Sequence, residues 1–188
     1  NPDEMGADLD GMVVELQNIP DYAALFDAAF DDGVTIDNIA AAIAAFQRTL
    51  ISDNAPFDRF AAGDFNALTP QQRRGFDIFR SAETRCFECH AYPTFTANTF
   101  HVLGVPDSDL DNPDRGRVEV QNAPDAEFGF RTPGLRNVVL SAPYMHNGSL
   151  ATLEEVIQFY ADGGGLDAGG VDVPVDEKIR GFDLTDQE

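Results

Sequence analysis

Cys86 and Cys89 are separated by Phe87 and Glu88, and His90 follows at once, so the chain carries CFECH at 86 to 90. Two thiols at this spacing can close a disulfide, act as a redox dithiol, or add to the two vinyl groups of a haem. Only the last of these requires a histidine on the next residue, where its imidazole reaches the iron. The spacing therefore predicts one covalently bound haem c, attached through Cys86 and Cys89 with His90 as an iron ligand. A zinc site would need two further ligands, and the other histidines, His101 and His146, lack the usual paired spacing.

A second iron ligand decides what such a haem does, because iron with both axial positions filled exchanges electrons but does not bind a peroxide. Four side chains are candidates: His101, Met145, His146 and Tyr160. A phenolate stabilises ferric iron, whereas a thioether raises the potential and favours ferrous iron. Tyr160 also has a plain reading as a core residue. Leu153, Val156, Ile157 and Tyr160 follow the spacing of one helix face, behind a capping box formed by Thr152 and Glu155.

The elements that must position these residues are mostly helical. Residues 20–52 read as two helices, the second capped by Thr35, with Ile36, Ile39, Ala40, Ile43, Ala44, Gln47 and Leu50 on one face. Residues 53–68, with Pro56, Gly63 and several Asp and Asn, break the pattern and mark a boundary. Thr69, Pro70 and Gln72 supply a cap, a first-turn proline and a capping-box partner for a helix running to about Ala82. Proline-punctuated loops and short helices are expected from Ala91 to Gly148, wrapped around the cofactor. No strand pattern and no internal repeat stands out, so the expected class is mainly α.

Composition narrows the partners. The 188 residues are 43% hydrophobic, with fifteen Phe and no Trp, which fits a folded domain and excludes a disordered chain. Formal charge is −21, and of the twelve basic residues only Lys178 is a lysine. That balance disfavours nucleic acid and anionic membranes as partners; it suits a basic protein met by electrostatic steering, but the acids are scattered along the chain and not gathered into one block, which weighs toward adaptation to a salty habitat or solubility alone. No apolar run is long enough to span a membrane. No leader stands at residue 1, which for an exported protein implies that it has been removed or lies outside this sequence.

Several segments in a fixed order resemble the bacterial dihaem cytochrome c peroxidases and the related MauG proteins. They are NPDEMG at 1 to 6, AAFQRTLIS at 44 to 52, PFDRFAAGD at 56 to 64, CFECH at 86 to 90, FHVLGV at 100 to 105 and TPGLRNVVLSAPYMHNGSLATLEEVIQFYADGG at 132 to 164. The resemblance implies a cytochrome c-like fold with long loops. Residues 1–52 would be the C-terminal part of a first, peroxide-binding haem domain, and 53–188 a second, electron-transfer haem domain. It also implies a fragment: a first haem with its own attachment motif would precede Asn1, and a final helix would continue past Glu188.

Residue roles follow from the same resemblance. Cys86, Cys89 and His90 match the electron-transfer haem. In the peroxidases a Met ligand lies fourteen residues beyond the His of the YMHNG-type motif. That count from His146 reaches Tyr160, and MauG has a Tyr ligand there. Tyr160 is then the ligand and Met145 the alternative. Glu4 matches a distal acid that moves a proton on bound peroxide. Ser141 and Pro143 match positions whose backbone carbonyls help hold a calcium ion. Arg136 is read either as a haem-propionate partner or as half of an ordinary ion pair. The implied function is peroxide reduction or MauG-like peroxide-dependent oxidation, with a single-haem electron carrier as the alternative. Implied partners are hydrogen peroxide and a small donor cytochrome c or copper protein, or else a protein substrate. A homodimer is the assembly to test, and because haem c is attached outside the bacterial cytoplasmic membrane, the setting is periplasmic.

Overall fold

Side-chain caps open four of the eight α-helices among the residues described by the computed structural model, which are 6–107, 113–121, 126–166, 175–183 and 185. The chain forms two compact units, residues 1–53 and 54–188. In the first, the Asp8 carboxylate accepts the Gly11 N–H at 3.1 Å and opens α1, Leu9–Gln17. Pro20 begins α2, Pro20–Ala29, at a position where its missing N–H costs nothing. Thr35 Oγ1 accepts the Asn38 N–H at 3.2 Å and opens α3, Ile36–Gln47. Phe26, Val34 and Ile39 form the core, with Phe26 and Phe30 stacked at 5.8 Å between centroids.

The face expected on α3 is only partly buried. Ile39 and Ala42 turn inward, while Ile36 and Ile43 stay exposed and Leu50 lies beyond the helix end. Three short helices of a unit this size bury one stripe each, too little to cover every apolar position.

The second unit begins with α4, Pro56–Ala61, inside the stretch that reads in sequence as a pattern break. Six residues are too few to show a period, and the cap is unusual: Asp58 accepts the Ala55 N–H at 2.9 Å from within the helix. α5 is Pro70–Phe79, with both bonds of the Thr69–Gln72 capping box present at 3.2 and 2.9 Å. It stops three residues short of Ala82, because Thr84 Oγ1 donates to the Ile78 carbonyl and turns the chain. α6 is the single turn Cys86–Cys89, entered through Arg85 at φ 57°.

Beyond it, Phe100–Val102 (β1) and Gly129–Arg131 (β2) pair antiparallel, His101 facing Phe130. Three-residue strands carry no readable alternation, which is why the sequence shows no strand; the class remains mainly α. The short helix α7, Arg117–Val120, lies between them in sequence. α8, Leu153–Ala161, starts with Thr152 Oγ1 accepting the Glu155 N–H at 3.1 Å, the other capping box expected from sequence.

Rings fill the space between α4, α5 and the loop after α6. Phe57 meets Phe76 at 4.8 Å and Phe95 at 5.1 Å, and Phe79 meets Phe95 at 6.2 Å. The stretch after α8 returns against β1: the Gly165 N–H donates to the Leu103 carbonyl and the Asp176 N–H to Val102. Backbones touch there so closely that a Cβ on Gly165 would stand 1.9 Å from the Gly104 carbonyl oxygen, so no side chain fits.

Candidate functional site

α6 places both cysteines on the wall of a cavity of about 630 Å³ in the second unit, a size usual for ligand sites. Cys86 and Cys89 are free thiols, and burial pushes both up from the ordinary thiol range, so they stay protonated. His90 caps the same turn. Its Nδ1 lies 2.9 Å from the Phe95 carbonyl oxygen, which can only accept, so Nδ1 carries the proton and Nε2 holds the lone pair. Burial also pushes the His90 pKa down, which favours the neutral ring. A neutral imidazole with its tautomer fixed by a carbonyl is the form in which histidine binds a metal.

α8 supplies a further wall. Tyr160 borders the cavity, and its pKa is pushed up to about 12, first by burial and then by the nearby Cys89 and Cys86 thiols. Among the described residues its hydroxyl has no hydrogen-bond partner. Leu153, Val156 and Ile157 also border the cavity, and this explains why Ile157, on the face expected to be buried, is 52% exposed.

The other candidate ligands divide. Met145 borders the cavity at φ 70°, a left-handed conformation costly for a side chain of that size. His146 borders it too, stacked on Phe130 at 3.7 Å and 13° between planes. Burial pushes its pKa down against the pull of Asp114 and Asp107. His101 is committed elsewhere: Nδ1–H donates to Asp176 Oδ2 at 2.5 Å, and Nε2 accepts from the Thr99 hydroxyl at 2.8 Å. With both nitrogens engaged it offers no lone pair to a metal.

Arg136, one of whose two readings was a propionate partner, forks onto both Asp58 oxygens at 2.9 and 2.7 Å and takes the ion-pair reading. Ser141 and Pro143 border the cavity, with Ser141 Oγ donating to the Val138 carbonyl at 2.9 Å. Glu4 lies outside the described residues. No cluster of three or more His, Cys, Asp or Glu side chains suited to a metal occurs among the described residues.

Two thiols, a neutral imidazole, and a wall of Phe, Leu, Val and Ile side chains suit a flat apolar macrocycle carrying iron and two vinyl groups. The comparisons with known proteins agree. Residues 1–66 match the family model described as di-haem cytochrome c peroxidase. MauG of Methylophilus methylotrophus is 41% identical over 159 residues, covering 84% of this chain and 47% of that protein. The chain belongs to the dihaem cytochrome c peroxidase and MauG family.

Other relatives in this family include the cytochrome c peroxidase Ccp of Escherichia coli, 34% identical over 84% of this chain and 35% of that protein. Among solved structures, a MauG-like protein associated with microbial copper homeostasis superposes with a TM-score of 0.74 at 33% identity, covering 96% of this chain and 59% of that one. A variant of the dihaem peroxidase BthA from Burkholderia thailandensis superposes at 0.66 with 25% identity, over 85% of this chain and 45% of that one. The chain spans about half the length of the curated relatives it matches. The family implies haem c as cofactor, and the fold is the cytochrome c-like, mainly α fold.

Sequence reasoning missed three parts of the site. Phe95 contributes a carbonyl, and carbonyls leave no side-chain signature. Asp58 sits 78 positions from Arg136, with nothing in either segment to announce the pairing. Arg85, Arg131, Lys178 and Arg180 all border the cavity, four of only twelve basic residues in the chain. Their scarcity is a readable signal, but their convergence is not.

Proposed function

We propose that residues 54–188 form the electron-transfer haem domain of a dihaem peroxidase or MauG-like oxidase, and that residues 1–53 are the tail of the peroxide-binding domain. The hydrogen bond from His90 Nδ1 to the Phe95 carbonyl carries this reading, since it turns Nε2 into a ligand atom beside two thiols in one cavity. Haem c, once bound, supplies one-electron iron chemistry. Cys86 and Cys89 would anchor it as thioethers, and His90 Nε2 and Tyr160 Oη would be the iron ligands, in keeping with their places on the cavity wall. Met145 borders the same cavity but holds a left-handed backbone, so its side chain has less freedom to turn toward the iron.

The chain's own residues bind, orient and exclude water. Burial at Tyr160 keeps the phenol proton until a cation displaces it. Glu4, from its motif position, holds the proton that peroxide cleavage needs in the other domain. A calcium ion at the Ser141 and Pro143 carbonyls is part of the proposal, with water and oxygens from outside the described residues completing its shell. So are a periplasmic setting, a basic donor protein or protein substrate, and hydrogen peroxide as oxidant. The relatives named dihaem peroxidases and cytochrome c peroxidases weigh against a single-haem carrier.

Intact mass and haem staining after denaturing electrophoresis test the attachment. The native protein is expected to retain haem covalently, and Cys86→Ala with Cys89→Ala to lose it from this domain. Retention in the double variant would defeat the assignment.

A further inference from the structure

We propose that Arg136 and Asp58 form a positioning clamp that holds the Phe95 carbonyl on His90 Nδ1 and so sets the reduction potential of iron bound at His90. The inference rests on the haem assignment to His90. Its basis is that one guanidinium joins three segments. Both Asp58 oxygens on α4 accept from its two terminal nitrogens, its Nε donates to the Pro93 carbonyl at 2.9 Å, and its charge lies 5.7 Å from the centre of the Phe95 ring. Phe57, the residue before Asp58, packs edge-on against that same ring at 5.1 Å. The loop between Tyr92 and Thr96 is thus gripped at Pro93 from one side and at Phe95 from two.

The grip has work to do because Phe95 sits at φ 54°. A bulky residue does not hold a left-handed backbone unless its surroundings impose it, and this backbone is what turns the carbonyl toward His90. Thr96 Oγ1 donates to the Thr132 carbonyl at 2.7 Å, and a Cβ on Gly134 would stand 3.0 Å from the Thr94 carbonyl oxygen. The segment carrying Arg136 therefore lies directly against the loop it clamps. Lysine could replace the charge but not the planar fork that satisfies two carboxylate oxygens and a carbonyl together.

The electronic consequence follows from ligand basicity. A strong bond from Nδ1–H to a fixed carbonyl gives the ring more anionic character, so Nε2 donates more density to iron and ferric iron is favoured. Loosening the carbonyl weakens that donation and favours ferrous iron. Asp58 and Arg136 act through Pro93 and Phe95 as positioning residues.

Redox titration of the haem-loaded protein, with the exchange rate of the His90 Nδ1 proton followed by NMR, tests the clamp. Arg136→Ala is expected to shift the ferric–ferrous ratio at fixed potential toward ferrous by roughly three- to tenfold, the low end of effects from groups behind a metal ligand, and to speed proton exchange. Asp58→Asn should act in the same direction, and Arg136→Lys should fall between Arg136→Ala and the parent. Variants that retain haem but keep the parent's potential and exchange rate would overturn the proposal, whatever happens to their melting temperatures. If Arg136→Ala does not retain haem, the milder Arg136→Lys decides on the same two readouts. A parent protein without haem at His90 would instead defeat the assignment on which the clamp rests.

Discussion

A phenol buried to a pKa of about 12 is an expensive anion, and in the ligand role proposed for it Tyr160 would have to become one. Desolvation opposes the phenolate, and a ferric centre supplies the positive charge that offsets it. The pair then stabilises itself in one oxidation state: reducing the iron removes part of the charge that holds the phenolate. We expect Tyr160→Phe to convert the ferric spectrum of this haem from low to high spin, read by electron paramagnetic resonance, and an unchanged low-spin signal would exclude Tyr160 as the ligand. At this scale the sequence was most informative where chemistry fixes spacing. CFECH names its own cofactor because two vinyl groups and one iron dictate the intervals. Asp58 is silent, and Arg136 legible only as half of some pair, because a fork-shaped ion pair fixes no interval at all, and Phe95 is silent because what it offers is backbone.

Helix α8 is specified at its start by a few side-chain hydrogen bonds and at its far end by a close backbone contact. Thr152 and Glu155 were legible as a capping box because the bonds are local, and the same holds for Thr69 and Gln72 in α5. The contact after α8, where Gly165 meets Gly104, was not legible, since glycine in a Gly-Gly-Gly run reads as a helix terminator and nothing more. Two substitutions separate these contributions. Thr152→Ala is expected to cost about 1 kcal/mol in denaturant unfolding, the usual worth of an N-cap. Gly165→Ala forces a methyl group into the Gly104 carbonyl and is expected to cost at least about 3 kcal/mol, the upper end of overpacking, together with haem retention. A mild effect of Gly165→Ala would mean that the two strands of backbone part easily. α4 escaped detection for a different reason: its six residues are held by a ring cluster and by Asp58, both tertiary, and short helices draw little from propensity.

Across the whole molecule, charge is distributed unevenly: the formal total is −21, yet Arg85, Arg131, Lys178 and Arg180 border one cavity. A basic redox partner would be steered by the acidic coat over distances of about a Debye length, roughly 8 Å at physiological salt. Rates of electron transfer from such a donor are expected to fall as ionic strength rises, and a flat profile in stopped-flow measurements would count against steering. The long-range pairs of the second unit also set a timetable. Asp58 meets Arg136 across 78 residues, and His101 meets Asp176 across 75, whereas the turn bearing Cys86, Cys89 and His90 closes through neighbours three and four apart. Local turns form in microseconds or less, while contacts of such separation wait on the closure of long loops. During folding the CFECH turn therefore takes shape on a chain whose walls are still open, so both thiols stand in water before the fold can hide them.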